Sequence, residues 1–266
     1  MLSALYGQLS PLRVPTKAVR KISDDTDANT YLLAVEEADG QELEAGVITA
    51  VETFITGCKS DGIWSSIKAS CILAGARTLS GALVPLVGTA PTNANFVSGD
   101  YNREIGLLGN GSTKYLNSNR AGNADPQDNV HQAIYLTAGG SINISRGIIG
   151  ISTSPQTFLS SGTSANLGSR CRTSGTYTNG SSTSVGFKGQ SRNIAASYIL
   201  RVGGANSTRA VASSGNPSPN HFVFATGASG SFDGRLSFYS IGESLDLAKL
   251  DSRVSTLMTD LAAAIP

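Results

Sequence analysis

Charge is scarce in this chain. Only 15% of its residues are Asp, Glu, Lys or Arg, and 20 Lys and Arg against 19 Asp and Glu leave a formal net charge of +1. That balance sets up no long-range field toward phosphate backbones or anionic lipid, so neither nucleic acid nor membrane insertion is expected of it. Cysteine is nearly as rare: Cys58, Cys71 and Cys171 are an odd set without CxxC spacing, and the two histidines, His131 and His221, lie far apart. A structural zinc site wants about four such ligands, so no metal is expected on these residues, and reduced, buried thiols suit synthesis in a cytoplasm. No run approaches the roughly 18 apolar residues of a membrane helix. The opening MLSALYGQLSPLR has no sustained apolar stretch and places its positive charge after its apolar part, so it does not read as a secretion signal.

What the 266 residues do have is glycine, 30 of them, with Ser, Thr and Asn crowding 141–218. Glycine and asparagine accept positive φ at little steric cost, which suits short strands joined by many turns. Residues 1–40 are expected to be an extended arm, because Pro11 and Pro15 interrupt any helix and Ser23 to Asn29 offers nothing to bury. Residues 41–90 form a helical lead-in: Leu43, Val47, Val51, Phe54 and Ile55 make one apolar stripe at spacings of three and four, with Asp39 placed to cap its start and Gly57 near its stop. Trp64 follows and reads as a core anchor where helix meets sandwich. Residues 91–266 then show about ten short strand-like runs separated by turns such as Gly109-Asn110-Gly111, Gly139-Gly140 and Gly203-Gly204. Such a run of strands implies a β-sandwich or barrel. The last element is helical again, with Leu247, Leu250, Val254, Leu257 and Leu261 on one face and Ser244 placed as its cap.

Two stretches carry a resemblance. GLLGNGSTKYL from Gly106, and FDGRLSFYSIGESLDLAKL from Phe232, resemble the paired motifs of laminin-G-like, concanavalin A-like jelly rolls, in which a late strand turns into a docked helix. The resemblance covers roughly 60–266 and implies a mainly β, jelly-roll sandwich with an N-terminal arm and helical segment and a short C-terminal helix. A narrower likeness runs through GCKSDGIWSSIK from Gly57, NFVSGDYN from Asn95 and IGESLDL from Ile241. These are similar to jelly-roll proteins of tailed bacteriophages. That likeness implies a virion protein on the exterior of the particle, made in the host cytoplasm and partnered by other virion proteins and by copies of itself.

Candidate chemistry is sparse. The ExDxxE run of glycosidases on this fold, which supplies one carboxyl to attack and one to donate a proton, is missing, and only Glu104 and Glu243 follow Pro91. No enzyme is therefore expected, and no cofactor. The loop 117–129 offers Asn117, Asn119, Asp125, Asp128 and Asn129 as ligand-binding candidates, since oxygen donors of this kind suit Ca²⁺, while the same side chains also serve irregular loops by bonding their own backbone. The basic residues Arg13, Lys17, Arg20 and Lys21 read as an assembly arm. The leading expectation is a non-enzymatic head-decoration or tail-associated structural protein attached through its N-terminal region. A glycan or receptor-binding module of a phage tail or fibre, touching cell-surface sugar, is the alternative, and a glycan-cleaving enzyme the third reading.

Overall fold

Runs of aliphatic residues between glycine-rich turns fold into two antiparallel sheets. A computed structural model of the chain describes residues 20–141, 145–161, 166–175, 177–180, 184–227 and 232–266. In chain order the elements are α1 (Thr26–Asp39), α2 (Ala45–Ser60), β1 (Ile67–Ile72), α3 (Leu79–Ala82), β2 (Thr92–Ala94), β3 (Tyr101–Asn102), β4 (Gly106–Leu108), β5 (Tyr115–Ala121), β6 (Val130–Ala138), β7 (Arg146–Ile151) and β8 (Gln156–Ser161). They continue with β9 (Asn166–Thr173), β10 (Tyr177–Gly180), β11 (Gly186–Ile194), β12 (Ser197–Val202), β13 (Ala205–Arg209), β14 (Asn220–Val223), β15 (Arg235–Gly242) and α4 (Leu247–Ala264). The first sheet runs β13-β12-β11-β6-β15-β4-β3, with β1 also paired to β15, and the second runs β10-β9-β8-β7-β14-β5-β2. The expected jelly-roll sandwich is therefore the fold, mainly β, closed by the C-terminal helix.

Both faces of the first sheet are buried. Toward the second sheet it presents Ile134, Leu136, Leu200, Tyr239 and Ile241, which meet Leu116, Ile149, Leu159 and Val223. Toward the other side it presents Ala133, Phe187 and Phe238, and these carry Leu32, Val51, Phe54, Leu250 and Val254 of the helices. The order of layers is helices, first sheet, second sheet. Simple alternation along β15 puts Leu236 and Phe238 on one face, yet they belong to different cores. The register between β15 and β6 slips between Leu236 and Phe238, and that extra residue turns Leu236 inward. Gly106 makes room beside it: with φ +93, a side chain here would put its Cβ 2.2 Å from the Leu236 carbonyl oxygen.

The N-terminal region departs from expectation. Residues 26–39 are helical, not extended, because Ala28, Tyr31, Leu32 and Val35 form a buried stripe at helical spacing and Asp25 caps the start by accepting from the Asp27 and Ala28 amides. The polar run 23–29 that suggested an arm is mostly this cap. Gly40, at φ +69, ends α1, so α2 starts only at Ala45. Asp39 closes α1 and accepts from the Arg77 and Thr78 amides instead of capping α2. The lead-in also supplies sheet, since β1 pairs with β15 from Ile67 to Ile72. Residues 1–19 and the start of the strand expected at 142–151 lie outside the described residues.

At the C-terminal helix the stripe is as expected, with Leu247, Leu250, Val254, Leu257 and Leu261 buried, but the cap is Asp246, whose carboxylate accepts from the Ala248 and Lys249 amides. Trp64 is half-buried against the helical core and donates its indole N–H to Asp27, 3.1 Å away.

One ion cluster fixes the helices to the sheet edge. Arg103 donates from both terminal guanidinium nitrogens to Glu44, at 2.9 and 2.7 Å, and Arg77 approaches the same carboxylate at 3.0 Å. The bonds from Arg103 hold the Glu44 carboxyl at about 2, below its ordinary value near 4.5. A depressed carboxyl contributes stability that is present above the unfolded pKa and is lost as pH falls through the folded one. Glu44→Gln should therefore cost about 1–3 kcal/mol at neutral pH. In urea unfolding followed against pH, that difference should shrink between about pH 4.5 and pH 2.

Candidate functional site

Pairing of β11 with β6 puts Lys188, Gln190 and Arg192 opposite Ile134, Gln132 and Val130, so these three side chains of β11 point between the sheets. Each is fully buried. Arg192 donates to the Cys171, Ile194, Ala195, Ser197 and Val211 carbonyls and lies over the Tyr198 ring. Lys188 donates to the Ser184 carbonyl at 2.9 Å, and burial pulls its ammonium down to about 8. On the opposite sheet Arg172, with φ +58, bonds Asn216 and the Gly122 and Asp125 carbonyls. Both histidines are buried as well. His131 donates from Nδ1 to the Glu243 carbonyl at 2.5 Å, leaving Nε2 to accept from the Ser240 hydroxyl at 2.7 Å. Burial lowers His131 to about 4 and His221 to about 3, the latter helped by Arg172. These groups lie inside the sandwich, where they set its shape.

The loop candidates are dispersed by the fold. Asn117 and Asn119 sit on β5, where the Asn117 carboxamide accepts from the Asn119 amide and Asn119 donates to the Ala90 carbonyl. Asp125 is buried with both carboxylate oxygens held by Arg120. Asp128 has one buried oxygen without a hydrogen-bond partner among the described residues. Asn129 reaches away from the others and accepts from the Ser244 amide at 2.8 Å and hydroxyl at 2.6 Å. A Ca²⁺ site needs about six to eight converging oxygens. Apart from Asp128, these side chains are directed instead at Arg120, Ser244 and backbone groups. Among the described residues no three His, Cys, Asp or Glu side chains group as a metal site. Of the basic arm, Arg13 and Lys17 lie outside the described residues. Arg20 folds back onto Glu36 and Glu42, and Lys21 onto Asp24.

Asn129 leads to an open cleft. Its grip on Ser244 and that of Ser191, whose hydroxyl donates to the Leu245 carbonyl and accepts from the Leu245 amide, pin the 244–246 segment across the end of β11. The chain then turns at Asp246 into α4. Between this segment and the β11-β12-β13 hairpins lies an open cleft of about 450 Å³, lined by Ser191, Asn193, Ile199, Asn206, Ser244, Leu245, Asp246 and Leu247. Its walls carry two amides and two hydroxyls over an aliphatic floor of Ile199 and Leu245. Asn206 accepts from Arg201 through Oδ1, which leaves its N–H₂ to donate, and Asn193 makes no side-chain hydrogen bond among the described residues. Asp246 is the one charged side chain in the lining. A smaller cleft of about 180 Å³ borders Lys68, Ser118, Asn119 and Arg120, but its cations are already paired, Arg120 with Asp125 and Lys68 with Glu243.

The sequence marks 244–247 only as the passage into the last helix and marks none of the lining residues as a ligand site; only the fold brings 191–206 to 244–247.

No protein-family model matches the chain, and no curated protein matches it in sequence. Among solved structures it is similar to a mutant of Trypanosoma rangeli sialidase displaying trans-sialidase activity, with 10% identity, a TM-score of 0.50, and coverage of 81% of this chain and 39% of that one. It is also similar to the botulinum neurotoxin serotype D binding domain, with 12% identity, a TM-score of 0.49, and coverage of 75% and 52%. The chain thus spans well under two thirds of either structure. At these identities the likeness shows the fold alone. It nevertheless corrects one expectation: no enzyme was expected where the ExDxxE run is missing, yet a sandwich of this kind is part of a sialidase chain.

Proposed function

We propose that this chain is a glycan-binding protein on the exterior of a tailed-bacteriophage particle, with the cleft between the β11-β12-β13 hairpins and the start of α4 as its sugar site. The composition of that cleft carries the reading. A sugar presents hydroxyls that both donate and accept, together with C–H faces, and it needs amide and hydroxyl partners above an apolar surface. Asn193 and Asn206 supply the first, with the Ser191 and Ser244 hydroxyls as acceptors because their protons go to Leu245 and Asn129, and Ile199 and Leu245 supply the second. Large exposed apolar side chains elsewhere among the described residues are Val97, Ile105, Leu108, Val185 and Ile194, scattered and aliphatic, so the platform does not rely on aromatic stacking. The particle location rests on the phage likeness of 57–68, 95–102 and 241–247. Attachment is through the N-terminal side, where α1 and α2 pack with α4 over the first sheet.

A glycan array tests the site. Wild type should bind a restricted set of sugars, and the double variant Asn193→Ala, Asn206→Ala should bind them at least about tenfold more weakly, the loss of one or two good hydrogen bonds. Both side chains are exposed, so the thermal midpoint should stay unchanged. Unchanged sugar binding by the double variant would remove the cleft from the account.

A further inference from the structure

Building on this glycan-site reading, we infer that the cleft takes uncharged sugars and rejects those bearing a carboxylate or sulfate. The start of an 18-residue helix borders it, and such a terminus ordinarily attracts anions through its free amides. Here those amides are occupied: Asp246 Oδ1 accepts from Ala248 N at 2.8 Å and Lys249 N at 3.3 Å. In place of a vacant anion hole the cleft presents a carboxylate. The nearby cations are committed elsewhere. Lys249 Nζ donates to the Asp61 carbonyl at 3.0 Å, and Arg201 is paired with Asp251 at 2.7 Å while donating to Asn206. The lining itself contains no Lys or Arg. An anionic sugar would meet the exposed Asp246 carboxylate with no Lys or Arg in the lining to offset it, and like charges at close range repel. A neutral sugar meets only amides, hydroxyls and the spare acceptor capacity of Asp246.

The test compares a neutral galactose-terminated oligosaccharide with the same oligosaccharide ending in sialic acid, and a neutral N-acetylglucosamine oligomer with a matching uronic acid oligomer, by titration calorimetry on the full chain. Wild type should bind the neutral member of at least one pair about tenfold or more tightly than its acidic partner. Asp246→Asn keeps a good helix cap and removes the charge, so it should narrow that gap to about threefold or less while leaving the thermal midpoint within about 2 °C. Equal or tighter binding of the acidic member by wild type, or a gap that persists in Asp246→Asn, overturns the inference and leaves the site in place, provided the Asn193 and Asn206 substitutions still weaken binding. Binding of neither class, or binding indifferent to Asn193 and Asn206, overturns the site reading as well.

Discussion

Replacing Arg192 with methionine should destabilise the protein by about 3–5 kcal/mol, the usual cost of breaking a buried, charge-assisted network. Methionine fills similar space, so the loss is polar and not a matter of volume. Arg192 is fully buried and satisfies carbonyls from three separate places: Cys171 of β9 on the opposite sheet, Ile194, Ala195 and Ser197 of its own hairpin, and Val211 beyond β13. Each carbonyl left dry costs about 1–3 kcal/mol unless water or a shift of the chain relieves it. Arg192→Lys should recover only part of the loss, because one ammonium cannot span carbonyls that a planar fork reaches in several directions. Urea unfolding reads the midpoint directly. A change below about 1 kcal/mol for Arg192→Met would mean that the buried fork does not hold the two sheets and the hairpin together. Since Asn193 is the next residue, the same variant should also weaken sugar binding through displacement of the cleft wall.

Phe238→Ala should cost a similar amount, about 3–5 kcal/mol, as expected for emptying a large aromatic from a packed interior. Its ring is fully buried on the helix-facing side of β15 and meets Phe54 of α2 edge-on, 5.8 Å between centroids. The register slip that sends Leu236 inward leaves Phe238 to fill this space. If the helices and the sandwich share one cooperative core, thermal unfolding should stay a single transition, shifted downward. A separate early transition, or a midpoint that does not move, would show the helices to be an appendage of an independently stable sandwich.

The fold was legible where burial produced a pattern. β6, β12 and β15 carry aliphatic residues between glycine turns, α4 shows its stripe outright, and of β11 only the part up to Lys188 was legible, because Gln190 and Arg192 break the apolar pattern. β13 escaped notice because Ala-Asn-Ser-Thr-Arg is an edge strand with little to bury, and β9 because inward positions include Ser169, which bonds the Tyr198 hydroxyl, beside Leu167 and Cys171. α1 was hidden by its own cap, whose polar residues look like an arm. No sequence signal marks Lys188 or Arg192 as buried, and only strand pairing shows that they face inward. The loop 117–129 was marked for its oxygen donors, yet none of them lines the cleft, and Asn129 serves it only as a brace for Ser244. No local signal joins Asn193 and Asn206 to the chain around Asp246, because that meeting depends on sheet register.

The most direct test of the account is a crystal structure of the chain with the tightest sugar found on the array. The account predicts ordered sugar in the cleft, its hydroxyls within hydrogen-bond distance of Asn193 and Asn206 and its C–H face over Ile199 and Leu245. Sugar ordered at another surface, with this cleft holding only solvent, would contradict it.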